Sequence, residues 1–501
     1  MASVNLTSAS DGSIRFSSNN DNCPIFIVIG DSFSQGALQN QRGADENLDP
    51  NYTYKCKNFQ RSFSNTDATA RPISDSSKAL GTFKLWDQAC YLMNAPTWAN
   101  STAYAVGDRR RHGGTTEDDQ YVCIKAHTSN TSNDQPGSGT NWTEYWVQGA
   151  GWGYTGDGTT GRTPYAGNFT TGSVVPRAAK TSPASEDHWS AAAWSDGITW
   201  HGGSRTAAAP PATNGFTDAE FDGTTAGLFL ADNTILWSFS RYFALNQVFK
   251  DADGGVAYPR YIHLGVNGSA CQKALDALAT LSWSPDYDAP VNGAGDKVSI
   301  YQWFNDCYLK PALEAVITTE SLNAWIAGVI YIGGNTDCQV KYNLPYNCGG
   351  IWPSGINAQN SPAMNLGTNV AALADALETA CSVSDIPFIT MNPIEIPLGQ
   401  TAGSPELGLS DINTGSVGEH ATQYFQVGAN ALQTDYVSDY RKTFTVRPKR
   451  VDDRMVGTDN IHLTATGACA LGYELADEWY TNFVDKGLQM HTATAPAAIC
   501  P

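Results

Sequence analysis

Charge is scarce in this chain, and positive charge scarcer still. Of 501 residues only 16% are charged, and 30 Lys and Arg stand against 49 Asp and Glu, a formal net charge of −19. A surface that acidic repels phosphate backbones and anionic lipid headgroups, which excludes nucleic acid as an expected partner. Long apolar runs are also missing: no stretch reaches the roughly 18 apolar residues of a spanning helix, so no membrane insertion is expected. The opening MASVNLTSASDGSIRF has neither a basic n-region nor an apolar h-region, so no secretory signal is expected there. The 11 cysteines never form a C-x-x-C pair, which argues against a zinc site; no metal is expected. Cys338 with Cys348 would close a short loop, and Cys469 with Cys500 would pin the tail. Free buried thiols are the alternative reading.

What is present supports a core. Hydrophobic residues make up 41% of the chain, with 47 glycines among long polar stretches. Residues 24–29, PIFIVI, read as a buried strand that ends in Gly30-Asp31-Ser32. Residues 233–249 read as an amphipathic helix. Residues 259–264, PRYIHL, read as a strand running into Gly265-Val266-Asn267-Gly268. A helical stretch over 299–321 is interrupted or restarted at Pro311. AWIAGVIYI, 324–332, is a strand ending at Gly333-Gly334-Asn335; 369–381 is a helix, 386–391 a strand, and 464–485 the last helix. Strands alternating with helices predict parallel βαβ units and a three-layer α/β/α sandwich with a mainly parallel sheet. Turns at the carboxyl ends of such strands are where ligands bind.

Residues 97–147 differ. Aromatics spaced along short β-like segments, Trp98, Tyr104, Tyr121, Trp142, Tyr145 and Trp146, predict a small all-β module inserted into the α/β domain. The expected organisation is an N-terminal segment (1–20), the start of the α/β domain (21–96), the module (97–150), a Gly/Ser/Thr-rich excursion (151–215), the rest of the α/β domain (216–490) and a tail (491–501).

Two short motifs carry chemistry. Ser32 stands on the first turn after a strand, where its hydroxyl can reach the sheet rim; a serine hydroxyl needs an adjacent base to act as a nucleophile. Near the other end, Asp459 precedes His462 by three residues. The carboxylate can orient the Nδ1 proton and leave Nε2 for the serine. Together, a G-D-S block near the start and a D-x-x-H block near the end resemble the SGNH, or GDSL-type, hydrolase superfamily. The resemblance covers about 21–40 and 230–485. It implies the SGNH/flavodoxin-like fold, a triad of Ser32, His462 and Asp459, and an oxyanion hole built from the N–H groups of Ser32 and Gly268 and the side-chain amide of Asn335. No cofactor is implied. The usual G-x-N-D block departs here, with Thr336 in place of the aspartate and Asp337 one later. Gly333-Gly334-Asn335 sits at the Q-G-E position of the carbohydrate O-acetylesterase branch.

Within the module, Trp98, Tyr104-Ala105-Val106-Gly107-Asp108, Tyr121 to Ser129, Pro136, Trp142 and Trp146 resemble chitin-binding-type carbohydrate modules, which also occur in bacteriophage tail proteins. That resemblance implies sugar stacking on exposed rings, with Trp142, Tyr145 and Trp146 the expected contacts and Trp98, Tyr104 and Tyr121 the core. The Arg109-Arg110-Arg111 run departs from the usual apolar strand. The expected partner is therefore an acylated polysaccharide or another ester, with homo-oligomer or virion assembly left open, in an extracellular or virion-associated setting, a cytoplasmic one being the alternative. A lipase or esterase on small or lipid acyl esters, and an inactive glycan-binding or structural tail protein, are the alternatives.

Overall fold

The computed structural model describes residues 3–5, 11–17, 22–31, 34, 84–86, 96–105, 108–113, 120–123, 125–148, 154–156, 162–164, 194–196, 234–265, 269–272, 282–285, 300–338, 362–393, 417–444, 465–484 and 489–494. Nine strands form the main sheet: β1 (Ser3–Asn5), β2 (Asn22–Gly30), β3 (Lys84–Trp86), β4 (Trp194–Asp196), β5 (Arg260–Gly265), β6 (Asn323–Ile332), β7 (Phe388–Met391), β8 (Arg441–Phe444) and β9 (Gln489–Thr492). Six of them run parallel, in the order β8-β7-β6-β2-β5-β3. Antiparallel strands finish the edges. β4 pairs with β3, β9 pairs with the first half of β6, and β1 pairs with β9. Along the chain, β2, β5, β6, β7 and β8 take the spatial order 2-1-3-4-5, the flavodoxin-like winding.

The strands are apolar on both faces because helices cover both. These are α1 (Thr234–Asn246), α2 (300–319), α3 (Leu366–Cys381), α4 (Val417–Asp435) and α5 (Ala465–Phe483). Alternation along β2 divides the core. Ile25, Ile27 and Ile29 join Leu309 and Leu313 of α2 and Leu373 and Leu377 of α3. Phe26 and Val28 face the other way, onto Phe239 and Phe243 of α1 and Trp479 of α5. The expected three-layer α/β/α sandwich is the fold of the described residues.

β6 carries an irregularity that matters for its exit. Its register against β2 shifts between Ile326 and Gly328, the signature of a β-bulge. Before the bulge, Ala324 and Ile326 face the α2–α3 layer; after it, Val329 and Tyr331 do. Trp479 Nε1 donates to the Ala327 carbonyl at 3.2 Å and holds the bulge from the α5 side. In α2, Pro311 does not break the helix but restarts it, one of the two outcomes expected. It opens one α-helical segment between two π-helical turns, Asn305–Leu309 and Ala315–Thr319, whose wider hydrogen bonding absorbs its missing N–H.

Residues 96–148 build antiparallel pairs: Ala103–Tyr104 with His127–Thr128, and Arg109–Arg111 with Gln120–Cys123 and Trp146–Gln148. The ribbon of Tyr154–Gly156 and Arg162–Pro164 lies beside them. Trp142–Tyr145 form a helical turn, so this unit is not all-β as expected. Trp98, Tyr104, Tyr121, Cys123 and Trp146 are its buried core.

Five cysteines among the described residues, Cys23, Cys123, Cys271, Cys338 and Cys381, are buried thiols that form no disulfide. The expected Cys338–Cys348 bridge is therefore absent. Cys338 is instead packed inside the sandwich core. The Cys469 thiol and Cys500 lie outside what is described.

Candidate active site

Strand register assembles the site. Gly30 at the end of β2 is level with Gly265 at the end of β5 and with Ile332 at the end of β6. The described chain thus leaves the sheet at the same end after Gly30, Gly265 and Ile332, from three adjacent strands. The winding reverses between β2 and β6, and the crevice beyond the carboxyl ends at such a reversal is the binding position of open α/β sheets.

The first turn leaves no room for a side chain at Gly30. Its φ is +152°, and a Cβ would stand 1.9 Å from the Ile332 carbonyl oxygen. The neighbouring strand approaches so closely that Asp31 N–H donates to the same oxygen at 2.9 Å. The Gly30 carbonyl is held from the β5 side, accepting from Trp283 Nε1 at 3.0 Å and from Ser269 Oγ at 3.2 Å. Asp31 is buried. Three residues on, the buried Ser34 is fixed to β5: its carbonyl accepts from His263 Nε2 at 2.7 Å. Only a donor can meet that carbonyl, so the imidazole proton is assigned to Nε2. Burial drives the His263 pKa down to about 4, so the ring is neutral near pH 7. Tyr308 of α2 donates to the His263 carbonyl at 2.8 Å and ties the strand to the helix layer.

The third turn is similarly fastened. Gly334 takes φ +96°, a conformation suited to glycine. Cys338 N–H closes the turn onto the Gly334 and Asn335 carbonyls, each at 3.2 Å. Asn335 is buried at 9% exposure. Asp337 is fully buried, and its carboxylate accepts the Cys271 N–H at 3.2 and 3.1 Å. Burial pushes its pKa up to about 7, against the opposing pull of backbone N–H groups.

Of the expected site residues in the sandwich, Asn335 is described and stands in the turn at the sheet edge. Ser32, Gly268, Asp459 and His462 lie outside the described residues. Their described neighbours are Asp31 and Ser34 around the first, Ser269 after the second, and Ala465, the start of α5, three residues past the last. In the aromatic unit, Trp142 and Tyr145 are half-buried. Trp146, expected as an exposed sugar contact, is 0% exposed and packs edge-on against Tyr104 at 5.0 Å. A ring enclosed in a small core has no open face for a sugar. Tyr145 already contacts His127, at 4.5 Å between ring centres, and Lys125, whose Nζ stands 5.0 Å from its centroid. Arg110 finds a use in its departure from an apolar strand: its guanidinium lies 4.8 Å from the centre of the Tyr104 ring.

His263, Ser269, Trp283 and Asp337 were not singled out from the motifs. Only His263 and Asp337 left a trace in the sequence, as a histidine inside an apolar strand and an aspartate one place late in its block. Ser269 and Trp283 gave none, because both act through a backbone carbonyl more than 230 residues away in sequence.

No protein-family model matches the chain, and no curated protein matches it. Solved structures are similar to parts of the chain only at low scores. A protein from Arabidopsis thaliana is 13% identical with a TM-score of 0.28, covering 51% of this chain and 68% of that one. A carbohydrate acetylesterase from Xanthomonas citri is 13% identical with a TM-score of 0.24, covering 52% and 42%. A lipase/acylhydrolase from Enterococcus faecalis is 12% identical with a TM-score of 0.22, covering 49% and 85%. At such scores the functional reading rests on the chain's own residues.

Proposed function

We propose that this chain is a serine ester hydrolase that removes acyl groups, foremost O-acetyl, from a polysaccharide. The observation that supports the reading is the level ending of the three strands that run into these motifs, at Gly30, Gly265 and Ile332, at the reversal of the sheet. Ser32 attacks the ester carbonyl, and His462 takes its proton and returns it to the departing sugar alkoxide. Water then resolves the acyl-enzyme with His462 as base. Asp459 orients the imidazole and stabilises its charged form. The N–H groups of Ser32 and Gly268 and the Asn335 amide receive the charge on the carbonyl oxygen. One such donor lowers the barrier by about 3–4 kcal/mol.

The polysaccharide part of the proposal rests on the aromatic unit, where Trp142 offers the ring for stacking. The extracellular or virion-associated setting belongs to the same part of the reading. Acetate release from a panel of acetylated polysaccharides, run beside short and long nitrophenyl esters, tests both parts. Ser32→Ala is expected to lower every activity by about 10⁴-fold or more. Equal activity of wild type and Ser32→Ala would end the mechanism. Hydrolysis of long-chain esters alone would transfer the chain to the lipid-esterase class.

A further inference from the structure

Asp337 is a buried acid that the proposed chemistry does not use. Its carboxylate accepts the backbone N–H of Cys271 at 3.2 and 3.1 Å, and that of Gln272. A buried carboxylate is costly unless hydrogen-bonded. Here the bonds go to the segment that carries Gly268, since Cys271 stands three residues past it. Asp337 itself stands two residues past Asn335. Chain spans of two and three residues between anchor and donor leave little slack. Between Gly268 and Cys271 the chain is also tied to the first turn, because Ser269 Oγ donates to the Gly30 carbonyl at 3.2 Å.

Resting on the esterase reading above, we infer that Asp337 is a positioning residue: it fastens the Gly268 segment to the Asn335 turn and sets the spacing of the two oxyanion donors. It touches no reacting atom. Oxyanion donors work only when they already stand at hydrogen-bond distance from where the charge will form, so a loosened tie slows the chemical step more than it weakens substrate binding.

The test counts reactive serines with a fluorophosphonate probe and measures kcat per labelled serine, and KM, on nitrophenyl acetate. Asp337→Ala removes both acceptor oxygens, while Asp337→Asn keeps one. The expected falls in kcat per labelled serine are about 100-fold and about 10-fold, with KM within about twofold. The inference is overturned if Asp337→Asn lowers only the labelled fraction and leaves kcat per labelled serine unchanged. It is equally overturned if KM rises while kcat holds. Should Asp337→Ala fail to fold, the nearly isosteric Asp337→Asn decides alone. A wild-type chain that hydrolyses no ester and takes no probe would sink the esterase reading itself. An active wild type with an indistinguishable Asp337→Asn would sink only the role of Asp337.

Discussion

The α/β sandwich and the aromatic unit solve the same problem with different materials. In the sandwich, strands alternate apolar residues, aliphatic and aromatic, to two helical layers. The aromatic unit is too small for such layers, and small units bury a smaller share of their surface. It relies on a few large rings with almost no aliphatic filling between them. Trp98, Tyr104, Tyr121 and Trp146 form its interior, and side chains brace its loops. Asp134 accepts the Asn130 N–H through both oxygens at 2.9 Å, and Tyr104 Oη accepts the Ala99 N–H at 2.7 Å. The lesson is that an aromatic-rich stretch in a small unit is first a core. Only rings left over from the core are free for ligands.

That contrast can be broken at either end. The largest effect is expected at Gly30→Ala, where the added Cβ would meet the Ile332 carbonyl at 1.9 Å. The sandwich should lose more than about 4 kcal/mol, read from urea denaturation. A loss under about 1 kcal/mol would mean that the two strands part easily. Next comes Trp146→Ala. It should cost the aromatic unit about 3–5 kcal/mol and expose residues 97–148 to proteolysis, with nitrophenyl acetate hydrolysis unaffected. Activity lost together with the unit would show that the two regions are energetically one.

A pH experiment sharpens the sandwich side. His263 is held neutral, with its pKa down at about 4 against 6.5 for the unperturbed group. The unfolded chain therefore binds more protons between these values. The stability supplied by neutral His263 is full above about pH 6.5 and is lost as pH falls through about 4, with a span of about 3 kcal/mol. Asp337, raised to about 7, runs the opposite way: its contribution is present below about pH 4 and is lost as pH rises through about 7. The His263 effect is therefore read as the difference between wild type and His263→Asn. The signed change in stability from pH 4.5 to pH 7 should be more positive in wild type than in the variant, and equal signed changes would remove His263 from the account. The smallest effect is expected at the half-buried Trp142. Trp142→Ala should leave the melting temperature nearly unchanged and weaken polysaccharide binding by about 10-fold, or about 1.4 kcal/mol. Unchanged affinity, measured by calorimetry, would take the carbohydrate role from this ring.

Much of the sandwich was legible because its central strands are buried on both faces and read as apolar runs closed by glycine. β2, β5 and β6 fit that description, β7 is an apolar run closed by Asn392-Pro393, and α1, α2, α3 and α5 showed apolar stripes. α4, Val417–Asp435, was missed because its sequence is mostly polar. β8, RKTF, was missed because three of its four residues are only partly buried at the sheet margin. β9 and β1 pair antiparallel at the margin, in segments too short to show a period. The motif residues were legible as chemistry. The bonds that hold their turns were not, since a backbone carbonyl as acceptor leaves no mark on residue type. Trp146 was misjudged because sequence spacing does not say which ring of several turns inward.

The pairing of β2 with β5 and β6 also sets a timetable. β2 is an almost wholly apolar strand near the start of the chain, yet its partners end at Gly265 and Ile332. About 300 residues separate the completion of β2 from that of β6, so at ordinary synthesis rates of 5–20 residues per second the strand waits roughly 15–60 s for its second neighbour. Until β5 is made, PIFIVI is an unpaired, β-prone segment, and until β6 is made it has one open side, which makes it the part of this chain most in need of a chaperone and the first place where overexpression would drive it into aggregates.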